Sequence, residues 1–255
     1  MTANTSTEKT SGTVGGILTR ARFILIKEIK SFLGSNLPPV SVAIVAVVCG
    51  ILSTALNNAS GASQLDVTRV LFHAFYILII ITSGFLAMSA FVGERKHGTL
   101  ELLYTLPVTE IELVLGKFLM GILSVFVLVF GITLVYMIGI AGAPWYMILS
   151  GVTGLLLAGL YSYSIGIFAS SLTDSYLLSL LITAVILVGI EFGGFMAGLL
   201  PSPAKDVFTH LHAFAHFLPF SRGVIPLKGV VFFLSVIVFF LFMTVKVLES
   251  RRWRN

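Results

Sequence analysis

The stretch Gly93–Lys117, GERKHGTLELLYTLPVTEIELVLGK, interrupts a chain that is otherwise a succession of apolar runs. It opens on Glu94, Arg95 and Lys96, where the preceding run meets water. Gly98 then interrupts the helix. Thr99 can cap a short new helix, and Glu101 in its first turn places a negative charge at the positive end of the dipole. Pro107 ends that helix, since proline lacks the N–H that a helix interior needs. Thr109 and Glu112 have capping-box spacing, and Val108 and Leu113 stand where a hydrophobic staple would. The local chemistry therefore predicts a short helix, a proline corner and then a long apolar helix. A capped knob of this kind has the shape to dock a soluble partner. The same chemistry also suits a connector with no partner.

Outward from this stretch, the composition sets the class. Of the 255 residues, 57% are apolar and only 11% are charged, against about 25% charged in an ordinary soluble domain. That excludes a soluble globular protein, and a disordered chain, which needs the opposite balance. A membrane span takes roughly 20 apolar residues, so the length accommodates six spans with short loops and no separate enzyme domain. The runs fall at about Leu37–Leu56, Val70–Val92, Leu113–Ile140, Trp145–Ser170, Asp174–Leu199 and Val230–Val247. The first opens on Pro38 and Pro39, which suit a first helical turn because its N–H groups lack partners.

Charge sets the orientation. Twelve of the sixteen Lys and Arg residues lie on one side: Lys9, Arg20, Arg22, Lys27, Lys30, Arg95, Lys96, Lys117, Lys246, Arg251, Arg252 and Arg254. Only Arg69, Lys205, Arg222 and Lys228 lie on the other. Basic residues concentrate on the cytoplasmic side, so both termini are expected there, with an even number of spans. Trp145, Tyr146 and Trp253 stand at run ends, where aromatic residues anchor at the interface. The expected class is an all-α integral membrane protein of the cytoplasmic membrane. Residues 1–16 form a polar tail, 17–34 an amphipathic helix, 35–248 the six-span domain and 249–255 a basic tail. Within 17–34, TRARFILIKEIKSF (Thr19–Phe32) is too short and too charged to span. Leu25, Ile29 and Phe32 share a face while Lys27 and Lys30 point elsewhere, the pattern of a helix lying on a membrane surface.

Few polar residues interrupt the runs. Glu191 is the one acidic residue well inside a span, and an intramembrane carboxylate is a candidate for a cargo path or gate. It lies about 17 residues into span 5, roughly 25 Å along a helix and so in the outer half. Gly189 and Gly193, and Gly194 and Gly198, repeat at four-residue spacing, which lets helices approach closely, within the chain or between subunits. Tyr161, Ser162, Tyr163 and Ser164 read as packing hydroxyls and His73 as an interhelical hydrogen-bonding residue. Before span 6, Val207, Leu211, Phe214 and Leu218 share one face of an expected outer interfacial helix capped by Ser202. Of its histidines only His212 and His216 are spaced i,i+4, too few ligands for a metal site. Cys49 is the single cysteine. No metal site is expected, and no basic stripe with interleaved aromatics suggests nucleic acid.

With its flanking Phe118, the opening stretch resembles the signature region of ABC-2-type permeases, the membrane subunits of ABC exporters. GIFASSLT (Gly166–Thr173) is similar to the inner end of span 4 in that family. HFLPFSRGVIPLKGVVFFL (His216–Leu234) resembles the approach to the last span in the gliding-motility and copper/nitrous-oxide-related branch. It departs from that branch in carrying Pro226, Leu227 and Lys228 where an acidic residue often stands. The resemblance covers most of the chain. It implies six spans preceded by a connecting helix that includes Lys27, Glu28 and Lys30. It implies a coupling element over Glu94–Pro107, including Glu94, Arg95, Gly98, Thr99, Glu101, Leu102, Thr105 and Pro107. It also implies a second permease subunit, identical or different, and a cytoplasmic ABC ATPase beside each. This chain would bind no cofactor, and ATP and Mg would belong to the ATPase. The sequence agrees in one respect: no G-x-x-x-x-G-K-[ST] motif occurs in it, so it has no phosphate-cradling loop of that kind.

Two other classes compete. One is a permease-like anchor or scaffold for an envelope or motility complex. The other, an intramembrane enzyme, would need paired carboxylates, a set of intramembrane histidines or a Ser–His pair. Glu191 has no acidic companion in the spans, and His73 is the one histidine within them.

Overall fold

The computed structural model describes residues 37–59, 64–96, 98, 109–139, 144–193, 201, 205 and 210–252. The expected polar tail and connecting helix, the coupling residues Thr99, Glu101, Leu102, Thr105 and Pro107, and Gly194 and Gly198 lie outside the described residues.

All regular structure among the described residues is helical. In chain order the helices are α1 (Leu37–Ala59), α2 (Gln64–Ala87), α3 (Ser89–Lys96), α4 (Glu110–Gly139), α5 (Trp145–Leu172), α6 (Tyr176–Glu191), α7 (Ala213–Ser221) and α8 (Leu227–Arg252). Four stretches are long and apolar enough to cross a membrane: Leu65–Lys96, Glu110–Leu134, Trp145–Leu172 and Leu227–Arg251. Two shorter apolar helical stretches, Ala43–Ala55 and Tyr176–Glu191, accompany them. Helix starts follow backbone chemistry. Pro38 and Pro39 occupy the first turn of α1, and Pro144 precedes α5 in an extended conformation. The Pro226 carbonyl accepts from the N–H groups of Gly229 and Val230 at the start of α8.

Helix α5 is the centre of the bundle, packed against α2, α3, α4, α6, α7 and α8. Its spanning stretch is 67% buried, against 28% for that of α8, so α5 is surrounded by protein and α8 lies at the edge. Small residues make this centre possible. A side chain at Gly151 would collide with the Phe72 ring of α2, and one at Gly154 with Phe220 of α7. One at Gly166 would meet Ala87 and the α2 backbone. Large side chains fill the rest of the core: Phe75, Tyr76, Phe91, Phe217, Phe220 and Phe233 from the surrounding helices and Tyr161 from α5 itself are all fully buried. Helix α1 covers the flank formed by α2 and α4.

The structure adjusts several expected elements. The second apolar run begins earlier than expected, at Gln64, and is divided at Met88 into α2 and α3. The fifth ends as a regular helix at Glu191, where Phe192 caps it and its N–H bonds back to Val188 O at 2.8 Å. Of the expected outer helix, the cap Ser202 and the first apolar position Val207 lie outside the described residues. Leu211, expected on its shared apolar face, lies ahead of α7 and is exposed. The N-cap of α7 is His212, which makes no side-chain cap hydrogen bond, and the buried stripe of α7 is Ala213, Phe217 and Phe220. Gly154 of α5 leaves a recess that receives the rings of Phe217 and Phe220, and this sets the rotation of α7.

Candidate functional site

The basic end of the bundle gathers the ends of five helices around the point where the segment after α3 departs. Its construction begins at the division of the second apolar run. No proline or glycine stands at Met88. Instead, the Ser170 hydroxyl of α5 enters the break. It accepts from the N–H groups of Phe91 at 2.8 Å and Val92 at 3.2 Å, and donates to the Met88 carbonyl at 3.1 Å. A side chain inserted into the i→i−4 ladder is an established cause of a kink. Here it also supplies partners to backbone groups at the start of α3 while the ladder is open.

Helix α3 carries Glu94, Arg95 and Lys96, and each reaches a different neighbour. The Glu94 carboxylate lies 3.1 Å from the Lys117 ammonium of α4, both well buried. Lys117 also sits over the Phe91 ring, 5.0 Å from its centroid. Pairing is what makes such burial tolerable, because an uncompensated charge there is expensive. Arg95 turns the other way, to the turn between α5 and α6. It donates through Nη1 to the Thr173 carbonyl and to Asp174 Oδ1, both at 2.8 Å, and through Nη2 to the Ser171 carbonyl at 2.6 Å. Arg251, at the end of α8, reaches the same turn. It donates to the Leu172 carbonyl at 2.5 Å and lies 3.7 Å from Asp174 Oδ1. Two guanidinium groups thus cap the C-terminus of α5, where carbonyls lack partners and a positive charge opposes the dipole. Lys96 lies over the Tyr176 ring in the first turn of α6, 4.3 Å from its centroid.

Gly98 follows with φ +67°, and its N–H bonds to the Arg95 carbonyl at 3.1 Å. Nothing lies within 4 Å of where its Cβ would be. Conformation, not space, is therefore what calls for glycine here: this is the left-handed residue that ends a helix. At the far side of the segment the chain re-enters as α4 through the expected capping box. Thr109 N–H donates to the Glu112 carboxylate at 2.9 Å, and Glu112 N–H donates to Thr109 Oγ1 at 3.3 Å.

The other candidate positions lie away from this end. Glu191, the last residue of α6, accepts a hydrogen bond from the Tyr76 hydroxyl of α2 at 2.8 Å. Tyr76 stacks on Phe217 of α7, 4.4 Å between centroids, so the carboxylate ties α6 to the α2–α7 interface. His73 Nε2 lies 3.2 Å from Ser221 Oγ, an interhelical hydrogen bond as expected. Tyr161, Ser162, Tyr163 and Ser164 are all buried, and Ser162 donates to the Ile80 carbonyl at 2.7 Å. Gly189 is exposed with nothing within 4 Å of its Cβ position, whereas Gly193, beyond the bend, is buried. These two glycines therefore do not share one surface of the chain. Among the described residues no three His, Cys, Asp or Glu side chains come together as a metal site would need.

The sequence pointed to Glu94 and Arg95 but missed Lys117 and Asp174 as their partners, and with them Ser170 at the break and Arg251 at the shared turn. One signal was available. The turn after α5 carries the only acidic residue of that loop, Asp174, beside carbonyls that need donors. Which arginines supply them is decided only in three dimensions.

No curated protein matches the chain. The family model described as ABC-2 family transporter protein matches residues 24–225, far more than half the chain, from ahead of α1 to the approach to α8. That span, and a bundle of apolar helices tied together at one basic end, fix its place: the chain belongs to the ABC-2 transporter family, as a membrane permease subunit of an ABC transporter.

Proposed function

We propose that this chain is the permease subunit of an ATP-driven exporter, coupled to a separate cytoplasmic ATPase through the segment between α3 and α4. The basic end faces the cytoplasm, as the distribution of Lys and Arg supports. The chain crosses the membrane six times, by the four long stretches and by α1 and α6, and both termini are cytoplasmic. A second permease subunit, the same or different, completes the pathway, and the exposed Gly189 on α6 offers one close-approach surface for it. ATP and Mg are held by the ATPase. The ATPase binds ATP with different affinity in the two permease states, because only differential binding shifts a conformational equilibrium. The stretch His216–Leu234 supports a place near the gliding-motility and copper/nitrous-oxide-related branch.

The observation that carries this reading is the union of the family match with the geometry of the basic end. The segment that the resemblance marks as the coupling element leaves the bundle at the left-handed Gly98 and rejoins it at the Thr109–Glu112 box. Purification of the tagged chain from its native membrane in mild detergent, with mass spectrometry of what accompanies it, tests the reading. The expected companion is a stoichiometric polypeptide with a phosphate-binding G-x-x-x-x-G-K-[ST] loop, reduced at least tenfold by Glu101→Lys. If no ATPase accompanies the chain, even after cross-linking from residues 99–107, coupling fails and a membrane anchor or scaffold takes its place.

A further inference from the structure

Glu94 and Arg95 belong to the segment expected to meet the ATPase, yet both are engaged inside the chain. Glu94 pairs with Lys117 on α4. The Arg95 guanidinium spends its donors on Ser171, Thr173 and Asp174. Helix α3 is thus joined at its far end to α4 and to the α5–α6 turn. At its near end it is set off from α2 by the Ser170-stabilised break at Met88. A short rigid arm with a break at one end and strong ties at the other is a lever. The α5–α6 turn, in turn, is tied to α8 by Arg251.

We propose that α3 is the transmission arm of this permease: it pivots at Met88 and, through Arg95, carries displacement of its own cytoplasmic end at Lys96 to the α5–α6 turn and so to α6 and α8. Arg95 is a positioning residue in this scheme, not a contact for the ATPase. The inference rests on the coupled-exporter reading and specifies how the coupling crosses the bundle. Three features argue for it. The ties are charge-assisted and multiple, the stronger class of hydrogen bond. A planar guanidinium spreads its donors over a fixed fork and so reaches two carbonyls and a carboxylate that lie apart, whereas the three donors of a lysine radiate from one nitrogen. The break is held by one hydroxyl rather than by proline, so α3 can change its angle to α2 while backbone partners remain within reach.

The test uses the full chain in lipid nanodiscs with the ATPase that co-purifies with it. Spin labels are placed at Val40→Cys on α1 and Leu177→Cys on α6, both exposed positions, with native Cys49 fully buried. MgATP is expected to shift the Val40–Leu177 distance by several ångströms, on the scale of helix shifts in other switching proteins. Arg95→Ala is expected to keep the ATPase at wild-type stoichiometry and to lose that shift. Arg95→Lys, which can keep only part of the contact set, is expected to retain less than half of it, and it carries the test if the alanine variant does not accumulate. Asp174→Asn, which leaves the carbonyl contacts in place, is expected to retain most of it. A full shift in both Arg95 variants overturns the lever. Loss of the ATPase from an Arg95 variant overturns it differently, by making Arg95 a docking contact. If the unsubstituted chain brings down no ATPase, the exporter reading itself fails, and the lever falls with it.

Discussion

At the scale of single residues, the Glu94–Lys117 pair is where burial and charge conflict most directly. Both groups are largely withdrawn from solvent, so each depends on the other. Removing one partner of a buried pair typically costs about 3 kcal/mol, because the survivor keeps its desolvation penalty without its attraction. Lys117→Met is therefore expected to lower thermal stability in detergent by about that amount. The double variant Glu94→Gln/Lys117→Met is expected to recover most of the loss, since neither remaining side chain is charged. A thermal-unfolding double-mutant cycle checks this, and additive losses would show that the pair is not energetically coupled. Arg95 is a different case. Its partners are mostly backbone carbonyls at the end of α5, so removing it exposes a helix terminus rather than stranding an opposite charge. The two neighbours were legible in the sequence as charges at a membrane boundary. Their separate destinations were not, because Lys117 lies on α4 and Asp174 some eighty residues along the chain.

At the scale of elements, the break between α2 and α3 and the close approach of α2 to α5 have the same cause: α5 presents small or hydroxylic residues to α2 at its basic end. The consequences of substitution should differ in size. In Ser170→Ala, the N–H groups of Phe91 and Val92 can return to their own helical acceptors, so the expected cost is about 1 kcal/mol. In Gly166→Val, the new side chain meets Ala87 and backbone atoms of α2, which cannot rotate away as a long side chain would. The expected cost is about 3 kcal/mol, the upper part of the usual range for overpacking. Melting temperatures of the two variants in the same detergent check the order, and a more damaging Ser170→Ala would show that the break cannot straighten. This contrast also explains what the sequence revealed at this scale. The α4 capping box was readable because both of its members lie within four residues and act through backbone geometry. The break at Met88 was not readable, because nothing at Met88 causes it and Ser170 is remote. The rotation of α7 was not readable either, because the recess at Gly154 on α5, some sixty residues away, is what turns Ala213, Phe217 and Phe220 inward.

At the scale of the whole molecule, the burial gradient and the charge distribution make separate demands on the surroundings. Apolar side chains on α6 and α8, Leu177, Leu181, Val185, Val231, Val238 and Phe242 among them, are exposed on the single chain. A surface of this size is compatible with lipid or a second subunit and incompatible with water. Across the bundle, Arg95, Lys96, Lys117 and Arg251 collect at one end, while Arg222 and Lys228 stand at the ends of α7 and α8 opposite. If the basic end faces the cytoplasm, the α5–α6 turn lies inside the cell and the start of α8 outside. Single cysteines at Leu177 and Leu227, 74% and 78% exposed in the chain, report on the two ends. The native thiol of Cys49 is fully buried and contributes little background. A membrane-impermeant maleimide applied to intact cells is expected to label Leu227→Cys and to spare Leu177→Cys until the membrane is permeabilised. The reverse pattern would place the ties of Arg95 and Arg251 on the outer surface, where no ATPase could reach them. Labelling of both from outside would mean that α6 and α8 do not each cross the membrane, and the count of six spans would fall.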